Sequence, residues 1–333
     1  YLTGDFYLQG GSLNVFTPDI GFDEGGHIDD LNRAQVNTFT DPIPVDFLAG
    51  IGDNVSYGLK YPKARMFVPL FTSSQTATMG GAMIPSDDEL QKPGGRFPDG
   101  TIIRYERWLA VGTGDVGSIF DAFLLQEKKN NPELTIGYID GRVIDEMTGE
   151  PISDAMVFVY KKQEDGTFGE APYSQWTSDV GDDPNRDGSF GGYLPVGEWE
   201  LSVHQFGRPD GERFQVNVTE AGIENLILTS PVPGSVRFTI VDEQNRQLPA
   251  KLSLFSATDS PIRNPVLGDG FIAGNPAAVI FADQGEGSVI LPPGEYYAVA
   301  SRGTEYELGI SDAFLVKENA TTNIDLQIIR SID

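Results

Sequence analysis

The chain has 333 residues, with 49 acidic against 23 basic side chains and a formal net charge of −26. So acidic a surface repels nucleic-acid phosphates and anionic lipid headgroups, which argues against either as a partner. The absence of cysteine excludes disulfides, thiolate metal sites and a cysteine nucleophile. No apolar run is long enough to predict a membrane span.

The first 130 residues predict short strands, at 13–16, 65–70 and 102–111, separated by loops rich in Gly, Pro and Asp. Residues 1–8 also read as a strand, and we expect its partner strands to be missing from the chain. Since the chain starts at Tyr1 with no visible signal peptide, we expect either a removed leader or a piece of a longer protein.

One helix is predicted after residue 114. Asp115 is a suitable N-cap, and Lys128 and Lys129 suit the C-terminal end. Helical spacing places five apolar side chains on one face: Val116, Ile119, Phe120, Phe123 and Leu124. Residues 130–133 then read as a linker, which predicts a β-rich N-terminal domain over 1–133.

The rest of the chain contains an internal repeat. GRV at 141–143 resembles GSV at 234–236, and LPVGEW at 194–199 resembles LPPGEY at 291–296, with offsets of 93 and 97. The segments FQV at 214–216 and FLV at 314–316 also resemble each other. Strand-like alternation with turns between predicts two tandem β-sandwich domains, at 134–230 and 231–333. The fold class is therefore all-β.

The first repeat resembles the carboxypeptidase regulatory-like, or transthyretin-like, sandwich family. The resemblance is carried by GRV, TGEPISDA at 148–155, DGSF at 187–190 and LPVGEW. It implies a small Ig-like sandwich in which Trp199 takes a core aromatic position. In the second repeat only LPPGEY is a sharp match.

The order of the parts also resembles the non-catalytic front of secreted proteins that carry a PHP-type metallohydrolase domain. PDIGFDE at 18–24 and VDFLAG at 45–50 carry this resemblance. It implies that a catalytic domain would begin after Asp333. The metal site of such a domain needs several histidines, whereas this chain has two, His27 and His204.

A calcium site is predicted in the first repeat. Asp183, Asn185 and Asp187, followed by Gly188, have the alternating oxygen ligands and the turn glycine of a calcium loop. Asp179 and Asp182 could add oxygens. Leu194 stands where an EF-hand has its twelfth ligand, so the alternative is an acidic turn in a sandwich hairpin.

Other candidate side chains carry weaker signals. His204 falls at an outward position of a predicted strand, and His27 in a loop near Asp23 and Glu24. Trp176, in a predicted loop insertion, is the aromatic side chain that we would test for stacking on a sugar. No nucleophile elbow, phosphate-binding loop or dinucleotide fingerprint is present, so no catalytic residue and no cofactor besides calcium is predicted.

These observations predict a non-enzymatic structural or adhesive array of modules, extracellular or at the cell surface. We expect it to assemble with itself into a filament or surface layer by strand complementation through residues 1–8. Its expected partners are copies of itself, or other surface proteins or glycans. Two alternatives remain open: an accessory region of a PHP-type metallohydrolase and a carbohydrate-binding module.

Overall fold

The computed structural model describes residues 3–9, 14–18, 21–23, 46–52, 54–62, 66–67, 70–73, 76–83, 106–179, 188–258 and 276–331. Across these ranges the chain forms twenty-four strands and one helix, which confirms the all-β fold class. That helix is neither long nor apolar enough to cross a membrane.

The N-terminal part forms two sheets, in the orders β1-β8-β6 (with β7 also paired to β8) and β3-β2-β4-β5-β9. The strands are β1 (Thr3–Gln9), β2 (Asn14–Thr17), β3 (Gly21–Asp23), β4 (Leu48–Ile51), β5 (Ser56–Lys60), β6 (Met66–Phe67), β7 (Leu70–Ser73), β8 (Thr76–Met83) and β9 (Trp108–Gly112).

The N-terminal strand exists, but the expectation that its partner is missing is wrong. β1 pairs antiparallel with β8 along its whole length, from Thr3 opposite Ala82 to Gln9 opposite Thr76. β1 is therefore not an orphan strand, and the predicted strand complementation through residues 1–8 loses the missing partner on which it was based. Among the described strands β1 pairs only with β8, so it is an edge strand of its sheet.

The predicted helix is confirmed as α1 (Val116–Asn130). Asp115 caps it, since its Oδ1 accepts a hydrogen bond of 2.9 Å from the backbone N–H of Ser118. Lys128 and Lys129 lie in the last turn, where their charge favours the helix dipole. The whole predicted apolar stripe is buried.

The first sandwich has two sheets, in the orders β13-β10-β16 and β12-β11-β14-β15. Its strands are β10 (Ile136–Asp145), β11 (Met156–Lys161), β12 (Ser174–Thr177), β13 (Ser189–Pro195), β14 (Gly197–His204), β15 (Phe214–Val218) and β16 (Ile223–Ser230). Trp199 is buried in β14, as the family resemblance implies, and its Nε1 donates to the Pro195 carbonyl at 2.9 Å.

The second sandwich repeats this plan, with sheets β20-β17-β24 and β19-β18-β21-β22, and with β23 also paired to β21. Its strands are β17 (Gly234–Val241), β18 (Ala250–Ser256), β19 (Ala278–Ala282), β20 (Glu286–Leu291), β21 (Gly294–Ser301), β22 (Gly309–Ile310), β23 (Phe314–Val316) and β24 (Thr321–Gln327). Tyr296 matches Trp199, because its hydroxyl donates to the Pro292 carbonyl at 2.9 Å.

The strand register corrects the sequence alignment of the two repeats. Gly137 lies opposite Leu194, and Gly234 lies opposite Leu291, so both strands are displaced by the same 97 residues. Gly234 therefore corresponds to Gly137, and its match to Gly141 was wrong. Likewise, Val216 opposite Trp199 corresponds to Phe314 opposite Tyr296. LPVGEW and LPPGEY thus mark equivalent positions in the two sandwiches, whereas the shorter GRV/GSV and FQV/FLV matches do not.

Contacts divide the chain into two compact units. Unit 1 comprises residues 1–143, 156–202 and 213–228, and unit 2 comprises 144–155, 203–212 and 229–333. Two short segments of the first repeat thus belong to the same unit as the second sandwich. The domain boundaries near 133 and 230 stay predictions.

Unit 1 is held together by a continuous set of aromatic rings. Phe16 and Phe47 of the N-terminal part lie 6.3 Å apart between ring centroids, and Phe47 lies 5.8 Å from Phe120 of α1. Phe120 in turn lies 5.6 Å from Tyr173, and Tyr173 lies 5.9 Å from Trp199. Helix α1 therefore shares one core with the N-terminal sheet and the first sandwich.

Glycine permits the close approach of α1 to the sandwich. A side chain at Gly117 would overlap the indole ring of Trp176 on β12, and one at Gly58 would overlap Ile119 and Phe123. On the sandwich side the Trp176 ring therefore lies against helix backbone, and on the other side Ile119 and Phe123 lie against the backbone of β5.

We expect Gly117→Ala to destabilise the protein by about 1–3 kcal/mol, the usual range for overpacking a well-filled core. An alanine in a helix is otherwise more favourable than glycine by about 1 kcal/mol, so the sign of the change is diagnostic. Urea unfolding measures it, with exposed Lys129→Ala as the control. A Gly117→Ala variant as stable as the original chain would contradict the close packing.

Candidate functional site

The predicted calcium ligands Asp183, Asn185 and Asp187 lie outside the described residues, as does His27. The neighbouring Asp179 is described. Its carboxylate accepts hydrogen bonds from the backbone N–H groups of Gly188 and Ser189, at 2.7 and 3.1 Å. Asp179 thus ties together the two ends of the segment that holds the predicted ligands. Within the described ranges, no three His, Asp or Glu side chains lie close enough together to hold a metal ion.

The expectation that Trp176 is a loop residue available for stacking on a sugar is wrong. Trp176 lies in β12 and is 1% exposed, with its ring stacked 5.9 Å from Phe190. It fills the space left by Gly117 of α1 and Gly192 of β13. A buried indole offers no face to a ligand, so the carbohydrate-binding alternative loses the residue on which it depended.

The surface placement of His204 is also wrong. The last four residues of β14 are all buried, so the in–out alternation that placed His204 outward stops before the strand ends. The following loop folds back over this end: Gly211 donates its N–H to the Val203 carbonyl at 2.8 Å, and Asp210 Oδ1 contacts His204 Nδ1. As a result, the His204 side chain is only 11% exposed.

His204 borders a cleft in unit 2 with a volume of about 230 Å³. The loop 204–210 forms one wall, and Ala277, Leu291 and Pro292 of the second sandwich form the other. The described lining supplies a His–Asp pair and one arginine, Arg208, but no Ser, Thr, Cys or Lys side chain. This part of the chain therefore does not assemble a nucleophile next to the histidine.

Arg208 connects three chain segments of unit 2. One guanidinium nitrogen lies 2.7 Å from Asp145 Oδ2, and another donates to the Pro231 carbonyl at 3.1 Å. Both side chains of the ion pair are largely buried, at 14% and 12% exposure. Because Pro231 directly follows β16, Arg208 fixes the start of the connection into β17. We call Asp145, Arg208 and the Pro231 carbonyl the Arg208 cluster.

Asp145 is held in its ionised form. Its Oδ1 accepts from the backbone N–H groups of Met147 and Thr148, at 2.9 and 2.8 Å. Burial raises the pKa of Asp145, but these hydrogen bonds and the Arg208 guanidinium outweigh it and lower the pKa to about 2. The carboxylate therefore serves at once as a turn cap and as the counter-ion of Arg208.

The second sandwich contains the equivalent of Asp145 in Asp242. Its Oδ1 accepts from the N–H groups of Gln244 and Arg246, each at 2.9 Å, and its Oδ2 pairs with the Arg246 guanidinium. Burial again opposes ionisation, but these bonds hold the pKa of Asp242 below its usual value. The carboxylate-capped turn is thus a repeated feature, whereas its cation comes from a different place in each repeat.

Two further carboxylates, the buried Asp115 and the partly buried Asp121, attach helix α1 to the first sandwich. Asp115 Oδ2 accepts from the Thr177 N–H at 3.2 Å, and Asp121 Oδ1 accepts from the Tyr193 N–H at 2.8 Å. Burial raises the pKa of both side chains, despite the bonds that each accepts. For Asp121, with a smaller contribution from the nearby charge of Asp115, the pKa rises to about 7.

The comparisons with known proteins give a fold-level likeness only. No protein-family model matches the chain, and no curated protein sequence matches it. Among solved structures, it is similar to the Bacillus anthracis TIE protein, with 14% identity, a TM-score of 0.24, 98% of this chain covered and 52% of the other. The chain thus spans about half the length of that protein.

Two pilins are similar at the same level. The shaft pilin SpaA from Lactobacillus rhamnosus GG has 11% identity and a TM-score of 0.34, covering 60% of this chain and 98% of its own. A streptococcal ancillary pilin has 13% identity and a TM-score of 0.31, covering 96% and 92%. Such values do not establish a family or a function. The resemblances to regulatory-like sandwiches and to PHP-type proteins stay predictions.

We expect Asp145→Asn to destabilise the protein by about 1–2 kcal/mol at pH 7, since the amide can still cap the turn but leaves Arg208 without its counter-ion. Because the pKa of Asp145 is lowered, this stability is present above about pH 4 and is lost as the pH falls towards 2. The deficit of the variant should shrink over that range.

The repeat supplies the control for this experiment. Asp242→Asn removes the equivalent carboxylate, but its partner Arg246 has a side chain that is 73% exposed, and exposed pairs contribute little. Urea unfolding of both variants compares them. An Asp145→Asn variant no less stable than Asp242→Asn would contradict a stabilising role of the Arg208 cluster.

We expect Asp121→Asn to stabilise the protein above pH 7, by up to about 4 kcal/mol, because one pKa unit corresponds to about 1.4 kcal/mol. The pKa of Asp121 is raised by folding, so its ionisation costs nothing below about pH 4 and its full amount above pH 7. The amide keeps an acceptor for Tyr193 and cannot ionise.

Thermal unfolding between pH 4 and 8 tests this expectation, with exposed Asp312→Asn as the control. A constant difference across the range, or a variant that is less stable at pH 8, would show that burial of the charge is not the cause.

Proposed function

We propose that this chain is a non-enzymatic, extracellular structural or adhesive module array that associates with copies of itself. The observation that carries the proposal is the repetition of one sandwich with the same strand register and the same carboxylate-capped turn, at Asp145 and at Asp242. Repetition of a module multiplies a surface that can be displayed or joined, a common design of extracellular proteins.

The use of the buried ionisable groups supports the same proposal. Asp115 and Asp121 bind backbone N–H groups of the first sandwich, and Asp145 and Asp242 bind turns and arginines. Each of these carboxylates therefore has a structural role, because it holds a connection between strands or between a strand and the helix. A net charge of −26 keeps such a protein soluble at the concentrations that a surface material needs.

Calcium binding by Asp183, Asn185 and Asp187 is the second part of the proposal. It is supported by Asp179, whose carboxylate accepts hydrogen bonds from the N–H groups of Gly188 and Ser189 and so holds residues 179 and 188 close together. Alternating oxygen ligands on a closed loop suit a hard cation.

We expect purified chain to form particles larger than one copy of 36.2 kDa as its concentration rises, and regular assemblies in its natural extracellular material. Sedimentation velocity and negative-stain electron microscopy measure this, each with calcium and with a chelator. If calcium binds at Asp183, Asn185 and Asp187, the chelator lowers the melting temperature of the chain but not that of Asp183→Asn/Asp187→Asn.

Particles of one-copy size at every concentration, with none in the natural material, would overturn the self-association. Equal melting with and without calcium would overturn the calcium part alone.

A further inference from the structure

Strand β9 is apolar and lies at the edge of its sheet, as far as the described strands show. It pairs with β5 on one side, with Leu109 opposite Leu59 and Val111 opposite Tyr57, and none of the other described strands pairs with it. Ala110 faces α1 and is buried, whereas Leu109 and Val111 point to the other face and are 59% and 63% exposed. The five residues of β9 carry no charge.

Strand β19 is a second edge of the same kind. It pairs with β18 on one side only among the described strands. Ala278 and Ala282 are buried, while Phe281 is 76% exposed, the highest exposure of any large hydrophobic side chain in the described ranges. This strand also has five residues and no charge.

The counterpart of β19 in the first sandwich is β12, and there the edge strand is covered. Val157 pairs with Trp176 of β12, and its counterpart Leu254 pairs with Ala278 of β19. In the first sandwich, helix α1 covers β12, since Asp115 accepts from the Thr177 N–H and Gly117 lies against Trp176. Among the described residues of the second sandwich no helix does this. An uncovered edge is a template for pairing with another strand.

A second copy of the chain is the occupant that the chemistry favours. Copies with a net charge of −26 repel each other, so contact requires surfaces without negative charge. Both five-residue edges meet this condition. The groove beside Phe281 is lined by Lys251 and Arg302 together with Asp283, a local balance opposite in sign to that of the whole chain.

We propose that the β9 edge of one copy adds to the β19 edge of another, which continues both sheets across the contact. This deepens the proposed self-association and rests on it. Because the two edges are different surfaces of one chain, the contact is heterologous. After two copies have joined, one still offers its β9 edge and the other its β19 edge. Further copies can therefore add, which gives an open chain unless the geometry closes a ring.

Two single substitutions test the pairing: Val111→Lys on β9 and Phe281→Lys on β19. Each places a charge on an exposed edge position, so folding should be kept, which circular dichroism and melting check. Lysine lowers the net negative charge, so any loss of association is not a result of added repulsion. Met147→Lys, at a 55% exposed position that belongs to neither β9 nor β19, is the matched control.

We expect each variant alone to associate at least about tenfold more weakly than the original chain in sedimentation equilibrium, and the control to be unchanged. An equimolar mixture of the two should form dimers and nothing larger, because Val111→Lys keeps an intact β19 and Phe281→Lys an intact β9. Dimers in the mixture alone are the signature of heterologous pairing.

The contrary outcomes are distinguishable. Association of the original chain that both variants retain would overturn the edge pairing and leave the proposed function standing. Dimers formed by one variant alone would show pairing of identical edges and overturn the heterologous contact, as would a mixture that stays monomeric. No association of the original chain at any concentration would overturn the proposed self-association and, with it, this contact.

Discussion

The burial of helix α1 is the constraint on which unit 1 depends. The helix meets the N-terminal sheet at Gly58 and the first sandwich at Gly117 and Trp176, so both of its sides are in a core. Because Asp115, Val116 and Gly117 at the helix start are buried, their polar groups need partners within the protein. Asp115 therefore serves both the helix N-terminus and the Thr177 N–H of β12. The hydrophobic contact between α1 and the first sandwich therefore contains carboxylates. Their hydrogen bonds attach the helix to strand backbone, and their loss of hydration opposes folding.

The pKa values of Asp145 and Asp121 are shifted in opposite directions. Asp145 receives two backbone N–H groups and a guanidinium, so its charge is compensated and its pKa falls. Asp121 receives one N–H and lies near another acid, so burial dominates and its pKa rises. One group therefore favours folding at neutral pH, and the other opposes it. Donors do not always outweigh burial: Asp115 also accepts two backbone N–H groups, and burial still raises its pKa.

Much of the fold could be predicted from the sequence because its signals are local. The cap and stripe of α1 lie within fifteen residues, and LPVGEW places Trp199 in the core through a turn and a strand that are adjacent. What failed depended on distant pairing. No local pattern links Thr3 to Ala82, no motif indicates that α1 covers β12, and the burial of His204 depends on a loop that returns through Asp210. The sequence pattern also contains Asp145 and Arg208 without indicating that they meet.

The different cations of the two capped turns have an unequal entropic consequence. Arg246 lies four residues from Asp242, so this ion pair closes with almost no loss of chain freedom beyond that of the turn itself. Strands β11 to β14 lie between Asp145 and Arg208 in the chain, so this ion pair closes a long loop and the entropy lost on closing it is larger. The second turn is therefore autonomous, with its counter-ion built in. The counter-ion of the first turn comes from the loop between β14 and β15, so the order of this turn depends on the strands β11 to β14 that precede the loop.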